Sequence, residues 1–178
     1  MGVFILTGMP GAGKEVFVNV AKGLGFEVRR MGDVVRAEAA KQGITSSDQG
    51  VGGFAHNERE LYGYDIWAKR IVPLVGDGDT IIDGCRGLSE VKVFKNAFGT
   101  EAKVIAIHSA PSTRYPRLVS RGRYDAPKNM EEFEERDRRE LGWGLGDTIA
   151  LADVVMVNEG DKEAFERDAN ALLKVLKG

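Results

Sequence analysis

The chain has 178 residues, 43% hydrophobic and 29% charged. That is the balance of a single globular domain with a sizeable core, not of a disordered chain. Twenty-five basic against 27 acidic residues leave a formal charge of -2, which gives no global electrostatic reason to bind nucleic acid or a membrane.

Short apolar runs alternate with longer helical patterns, with no internal repeat and no linker, so the expectation is an α/β fold on a parallel sheet. The predicted strands are Val3–Thr7, Phe26–Arg29, Thr80–Asp83, Lys103–His108 and Val154–Val157. All but Phe26–Arg29 are nearly all apolar, as for strands covered on both faces; Phe26–Arg29 reads as an edge. The first predicted helix, Glu15–Gly23, is followed by Leu24, and Val16, Val20 and Leu24 fall on one face. The second, Asp33–Lys41, carries Val34 and Ala37. A long helix over Asn57–Val75 puts Leu61, Tyr64, Ala68, Ile71 and Val75 on one face, with Pro73 kinking or shortening its last turn. Gly50–Gly53 reads as a mobile break before it. Ser89–Ala97, Ser112–Arg121 and Met130–Leu141 follow, the last two flanking a Gly/Pro/Asp turn. Lys162–Leu176 closes the chain with Phe165, Ala169, Leu172, Leu173 and Leu176 inward. Gly142–Gly146 reads as a flexible apolar turn and Trp67 as core.

Glycines number 23, roughly 13% of the chain against about 7% in average proteins. Three of them lie in Gly8-Met9-Pro10-Gly11-Ala12-Gly13-Lys14, which matches the phosphate-binding loop G-x-x-x-x-G-K. It follows an apolar strand and opens a helix, as the mechanism requires. Glycines let the backbone turn its N–H groups inward as a nest for phosphate oxygens. The helix N-terminus adds partial positive charge, and Lys14 adds a full one. The next residue is Glu15, where the pattern has Ser or Thr for magnesium. A carboxylate there either holds Mg²⁺ directly or through water, or favours the helix N-terminus; both readings stand. Asp83 ends an apolar strand, in the place of the acid that positions Mg²⁺. Between Arg114 and Arg123 lie four arginines and no acid. That local positive arm suits a polyanion, because planar guanidiniums meet phosphoryl oxygens two at a time. The plainer reading is a solvated basic helix paired with the acidic run Glu131–Glu135. RNA is a weaker match, since Tyr115 and Tyr124 are the only stacking groups in the arm. One cysteine, Cys85, excludes an internal disulfide or a cysteine-based zinc site and fits a reducing compartment; it reads as a packed or merely accessible thiol. His56 and His108 have no metal-ligand spacing.

Taken in order, Gly8–Lys14, Gly32-Asp33-Val34-Val35-Arg36, Asp83-Gly84-Cys85-Arg86 and the stretch Arg117–Asp125 resemble the nucleoside monophosphate kinases. Ala152–Gly160 is similar to the dephospho-coenzyme A kinase branch. The whole chain resembles the archaeal adenylate-kinase-related proteins. The resemblance implies ATP and Mg²⁺ as cofactors, with the nucleotide on Gly8, Met9, Pro10, Gly11, Ala12, Gly13, Lys14 and Glu15. Asn158 and Gly160 would approach the adenine, mostly through backbone. The metal would lie on Asp83 and Glu15. Asp33, Arg36 and Arg86 would hold the acceptor, although Arg86 comes one residue early and the family's Phe-Pro is missing. Lys14, Arg117, Arg121 and Arg123 would be catalytic, the three arginines closing over the transferring phosphoryl. Arg136, Arg138 and Arg139 are offered as one more contact, and Ala126 replaces an acid.

The expected architecture is therefore a three-layer α/β/α P-loop fold with about five parallel strands in one domain, residues 1–178. Residues 33–75 would be an acceptor flap and 112–141 a lid. The leading function is transfer of the ATP γ-phosphoryl to a nucleotide or nucleotide-like small molecule. Alternatives are a hydroxyl kinase of the dephospho-coenzyme A type, with Asp33 as base, and an ATP-dependent switch or slow ATPase engaging a protein or RNA. No run approaches the ~18 apolar residues of a membrane span, and Val3–Leu6 is too short for a signal peptide. The expectation is a cytoplasmic protein with no membrane partner.

Overall fold

The computed structural model describes residues 1–44, 48–123 and 126–177. Five parallel strands, β1 (Val3–Thr7), β2 (Glu27–Arg30), β3 (Thr80–Asp83), β4 (Ala102–His108) and β5 (Val154–Val157), form one sheet in the order β2-β3-β1-β4-β5. Side chains on a strand alternate between faces, and that alternation divides the core. Val3, Ile5 and Ile82 enter one apolar cluster, while Phe4, Leu6 and Ile81 enter the other. The first face is covered by α2 (Met31–Lys41), α3 (Asp48–Tyr62), α4 (Ile66–Ile71) and α5 (Leu88–Phe98), with Trp67 and Phe94 fully buried. The second is covered by α1 (Lys14–Gly23) and the last helix, which bring Phe17, Val18, Phe165 and Leu173. The remaining helices are α6 (Pro111–Ser120), α7 (Met130–Gly142), α8 (Leu145–Ala150) and α9 (Lys162–Lys177). The result is the three-layer α/β/α arrangement expected of a P-loop chain.

Several local expectations are corrected. The Asn57–Val75 helix is two helices. It breaks at Gly63, whose φ is +99°, and ends in a short 3-10 turn, Val72–Leu74, that contains Pro73. Leu61 and Tyr64, expected inward, are exposed, while Ala68 and Ile71 are fully buried. Gly50–Gly53 is no break but lies within α3. The buried face of α1 is Phe17, Val18 and Ala21, with Val16, Val20 and Leu24 only partly buried against the same cluster. In α2 the buried residues are Met31, Val35 and Ala39, Ala37 being exposed. Both helices are apolar on more than one side, so spacing alone left the face ambiguous. Gly142–Gly146 is not an open turn: α7 runs to Gly142 and α8 starts at Leu145, with Gly144 in the left-handed region between them. Strand β5 is apolar yet half exposed, because it is an edge that pairs only with β4. Strand β2 is the other edge, as expected. Among the described residues, no helix is long and apolar enough to cross a membrane.

Gly63 gives a signed test of the helix break. In a helix interior, Gly→Ala is stabilising by roughly 0.5–1 kcal/mol. At a positive φ an L side chain costs roughly 1–2 kcal/mol, and a Cβ on Gly63 would also meet the Asp65 carboxylate at 3.1 Å. Gly63→Ala should therefore lower the stability measured by urea unfolding; an increase would show a continuous helix.

Candidate active site

Parallel pairing places the strand ends at one edge. Asp83 stands level with Leu6 on one side and with Arg30 on the other, so Gly8, Arg30 and Asp83 share the C-terminal rim of the sheet. Ligands of open parallel sheets bind along this rim. The loop after β1 is fixed by close packing. A Cβ on Gly8 would collide with the Ile107 carbonyl oxygen, and one on Gly13 with the Asn158 amide. Both glycines also have positive φ, +147° and +110°. Thr7 Oγ1 donates to the Cys85 carbonyl at 2.9 Å, which ties the segment after Asp83 to the end of β1.

Lys14 folds back beneath the loop. Its Nζ donates to the carbonyls of Gly8 at 2.5 Å and Met9 at 3.2 Å. Burial lowers its pKa to about 8, against the pull of Asp83 and Glu140. Burial also raises the pKa of Asp83 against the pull of Lys14 and Arg30. The Asp83 Oδ1 atom is buried and has no hydrogen-bond partner among the described residues. The two groups lie on a cavity of about 620 Å³. Seven arginines and two lysines line it, against three carboxylates, Glu15, Asp83 and Glu140. Such a cavity suits a polyanion, and the orphaned Asp83 oxygen is a fitting ligand for a hard divalent cation, which commonly takes one or two carboxylates and completes its shell with water and phosphate. Among the described residues there is no group of three or more His, Cys, Asp or Glu able to hold a metal by itself.

The predicted residues divide when their contacts are followed. Gly8, Pro10, Gly11, Gly13, Lys14, Glu15, Arg36, Asp83, Arg86, Arg117, Arg121 and Arg123 reach the cavity together. Met9 and Ala12 are buried. Asn158 is buried too; its Nδ2 donates to the Ala12 carbonyl at 2.8 Å, so its side chain pins the loop to the end of β5. Gly160 offers its carbonyl to Arg117 Nη2 at 3.3 Å. Asp33 is exposed, ion-paired with Arg36, and is not among the cavity walls. Arg117 donates to the Asn158 carbonyl at 3.0 Å and to Ser109 Oγ at 3.2 Å. Cys85 is buried with its thiol pushed well up by burial. Tyr124 and Asp125 lie outside the described residues.

The arm from Arg114 is not uniform. Arg114 is buried; its Nη1 and Nη2 reach the Asp137 carboxylate at 2.9 and 2.5 Å, Nη1 also reaches the Pro10 carbonyl at 3.1 Å, and Nε reaches the Ser109 carbonyl at 3.1 Å. It joins the loop, α6 and α7 and is not a cavity group. Three further cavity residues escaped the sequence reading. Arg30 donates through Nη2 to Glu15 Oε1 at 2.9 Å; each raises the other's preference for its charged form. Its signal was available, since Arg29-Arg30 ends a strand beside the segment Gly32–Arg36. Glu140 accepts from Arg86 Nε at 2.8 Å. Burial opposes its ionisation, but Arg86 outweighs that and lowers its pKa. On a helix crowded with charges, no pattern marked it. Lys162 opens α9 at the cavity.

Removing one partner of a buried ion pair costs about 3–5 kcal/mol. Arg114→Ala should lower the unfolding free energy by about 3 kcal/mol in a urea titration, and Arg114→Lys should recover little of it, because an ammonium cannot reproduce the forked contact. Wild-type stability in Arg114→Ala would remove Arg114 from this role.

Comparisons of sequence and fold bear on the family and the architecture. Residues 7–134 match the family described as AAA domain. A UPF0200 protein of Thermoplasma acidophilum is 44% identical over 172 residues, covering 96% of this chain and 94% of the relative. In fold, the chain is similar to shikimate kinase from Bacteroides thetaiotaomicron, with a TM-score of 0.63, 15% identity and 99% of each chain covered. It is also similar to a gluconokinase from Sinorhizobium meliloti, with a TM-score of 0.61, 16% identity and coverage of 99% and 93%. At such identities the likeness is one of fold, the P-loop kinase fold. With the loop, the strand order and the close relatives taken together, the chain belongs to the UPF0200 family and to the AAA-domain P-loop proteins.

Proposed function

We propose that this protein is an ATP-dependent phosphotransferase acting on a small, anionic, nucleotide-like acceptor. The observation that carries the reading is the single cavity in which the glycine loop, Lys14 and the orphaned Asp83 oxygen meet arginines from the β2–α2 corner, the segment after β3, and α6 with the residues that follow it. Mg·ATP, when bound, supplies the phosphoryl group and a metal ion that neutralises part of its charge. The backbone N–H groups of the Gly8–Lys14 loop, to which Pro10 contributes none, and the Lys14 ammonium receive the terminal phosphates. Asp83 holds the cation. Arg36 and Arg86 hold the acceptor, and Arg117, Arg121 and Arg123 meet the oxygens on which charge spreads. Catalysis of this kind is mostly positioning and electrostatic stabilisation.

A phosphate acceptor is already an anion and needs little help from a base. A hydroxyl acceptor needs one, and Asp33, which is ion-paired with Arg36 and is not itself among the cavity walls, is poorly placed to serve; this favours the phosphate acceptor. A panel of nucleoside monophosphates and dephospho-coenzyme A, assayed with radiolabelled ATP, separates the readings. Transfer to a monophosphate supports the proposal, transfer only to a sugar hydroxyl replaces it, and slow hydrolysis stimulated by a macromolecule indicates a switch. Lys14→Ala should lower turnover by roughly two to three orders of magnitude, as removal of a charge-stabilising donor does. Near-normal turnover would contradict the role.

Lys14 also sets a pH signature. Its pKa of about 8 keeps it charged at neutral pH. Bound phosphate favours the ammonium, so binding above pH 8 must take up a proton. Nucleotide affinity should hold steady up to about pH 8 and then fall, by at most about tenfold per pH unit. Calorimetry in buffers of different ionisation enthalpy should detect that uptake, and Lys14→Ala should abolish it.

A further inference from the structure

Glu15 follows Lys14 in the first turn of α1, where a P-loop ordinarily turns a hydroxyl toward the metal. Here its carboxylate is taken by Arg30, at 2.9 Å. Arg30 ends β2 directly opposite Asp83 and immediately precedes α2. Both members of the pair line the cavity, and both are partly exposed, with side-chain accessibilities of 29% and 38%. A pair this wet is worth little and is easily exchanged for better partners. Better partners for each are implied on either side. Asp83, with an unpartnered oxygen, lines the same cavity and stands opposite Arg30 in register, so the two carboxylates share the corner of the rim that Arg30 occupies. A divalent cation taken up there would be shared by two like charges that otherwise repel. On the other side, Arg30 adjoins Gly32 and Arg36, which form the cavity wall at the start of α2. An anion bound there would prefer a free guanidinium to one already neutralised.

We propose that the Glu15–Arg30 pair is an exchange latch coupling a cation site to an anion site. A cation at Asp83 draws Glu15 away and uncovers Arg30 for an anionic group, while an anion on Arg30 releases Glu15 to the cation. Each ligand thereby tightens the other, and the coupling is reciprocal by thermodynamic necessity. The latch deepens the phosphotransfer reading and rests on it for its purpose: it links arrival of the metal to readiness of the acceptor subsite. It explains why a carboxylate stands where a hydroxyl is usual, since a hydroxyl could not hold an arginine in reserve.

The test uses the chain alone, with Mn²⁺ binding followed by electron paramagnetic resonance and inorganic phosphate binding by calorimetry. Glu15→Gln should tighten phosphate about fivefold or more, the low end of ordinary coupling. The double variant Glu15→Gln/Arg30→Gln should lose that gain, which separates binding at Arg30 from binding in the glycine loop. Arg30→Gln should tighten Mn²⁺ by a similar factor. In the wild type, Mn²⁺ should tighten phosphate, and either single variant should weaken that coupling. Phosphate affinity unchanged by Glu15→Gln, a gain that survives in the double variant, or Mn²⁺ affinity unchanged by Arg30→Gln would each overturn the latch. Normal nucleotide uptake and transfer with none of these changes would sink the latch and leave the phosphotransfer reading. The reverse pattern would sink that reading and leave the latch.

Discussion

A lysine ammonium folded under its own loop, held by two carbonyl oxygens and short of water, is the constraint around which the rest of this molecule is arranged. Lys14 reaches back to Gly8 and Met9, and burial brings its pKa down to about 8. A cation in that position is costly unless something negative completes it. Asp83 and Glu140 pull in the right direction, but Asp83 is itself raised by burial. The two charges are both poorly solvated and each only partly answered by the other. On the proposed function, an incoming phosphate would answer Lys14 and an incoming cation would answer Asp83, so that a metal–polyanion pair would complete both charges.

The scaffold supplies this geometry by register. With all five strands parallel and the order β2-β3-β1-β4-β5, every strand delivers its C-terminal residue to one rim. The loop is then locked from three directions: Ile107 under Gly8, Asn158 on Ala12 and Arg114 on Pro10. Side chains such as Asn158 and Arg114 belong to this support. They fix the backbone of the loop, and both are buried with polar groups engaged by it.

The legibility of these features in the sequence follows their physics. Strands β1, β3 and β5 matched their expected limits because each is a short apolar run closed by a loop signal. The phosphate loop was legible because glycines at fixed spacing before a lysine answer a local backbone requirement. The break at Gly63 was not, because a glycine inside a helical pattern is tolerated as often as it terminates one. Helix α8 has six residues, too few to display a period. The roles of arginines were hardest of all. Arg114 and Arg117 look alike in the sequence, yet one is buried against Asp137 and the other lies on the cavity. Only tertiary structure decides which carboxylate, if any, stands opposite a guanidinium.

Two arginines of this arginine-rich cavity are held by carboxylates in contrasting ways. Arg86 is matched by a carboxylate, Glu140, that is itself buried and whose ionisation depends on Arg86; separating them would strand a charge away from water, so this pair is fixed. Arg30 is matched by Glu15 in a partly exposed position, where water can replace either partner at little cost. A fixed pair sets the shape of the wall, while a loose pair sets its charge state. If the Glu15–Arg30 pair exchanges as proposed, the field in the cavity would change with occupancy while the Arg86–Glu140 wall keeps its geometry.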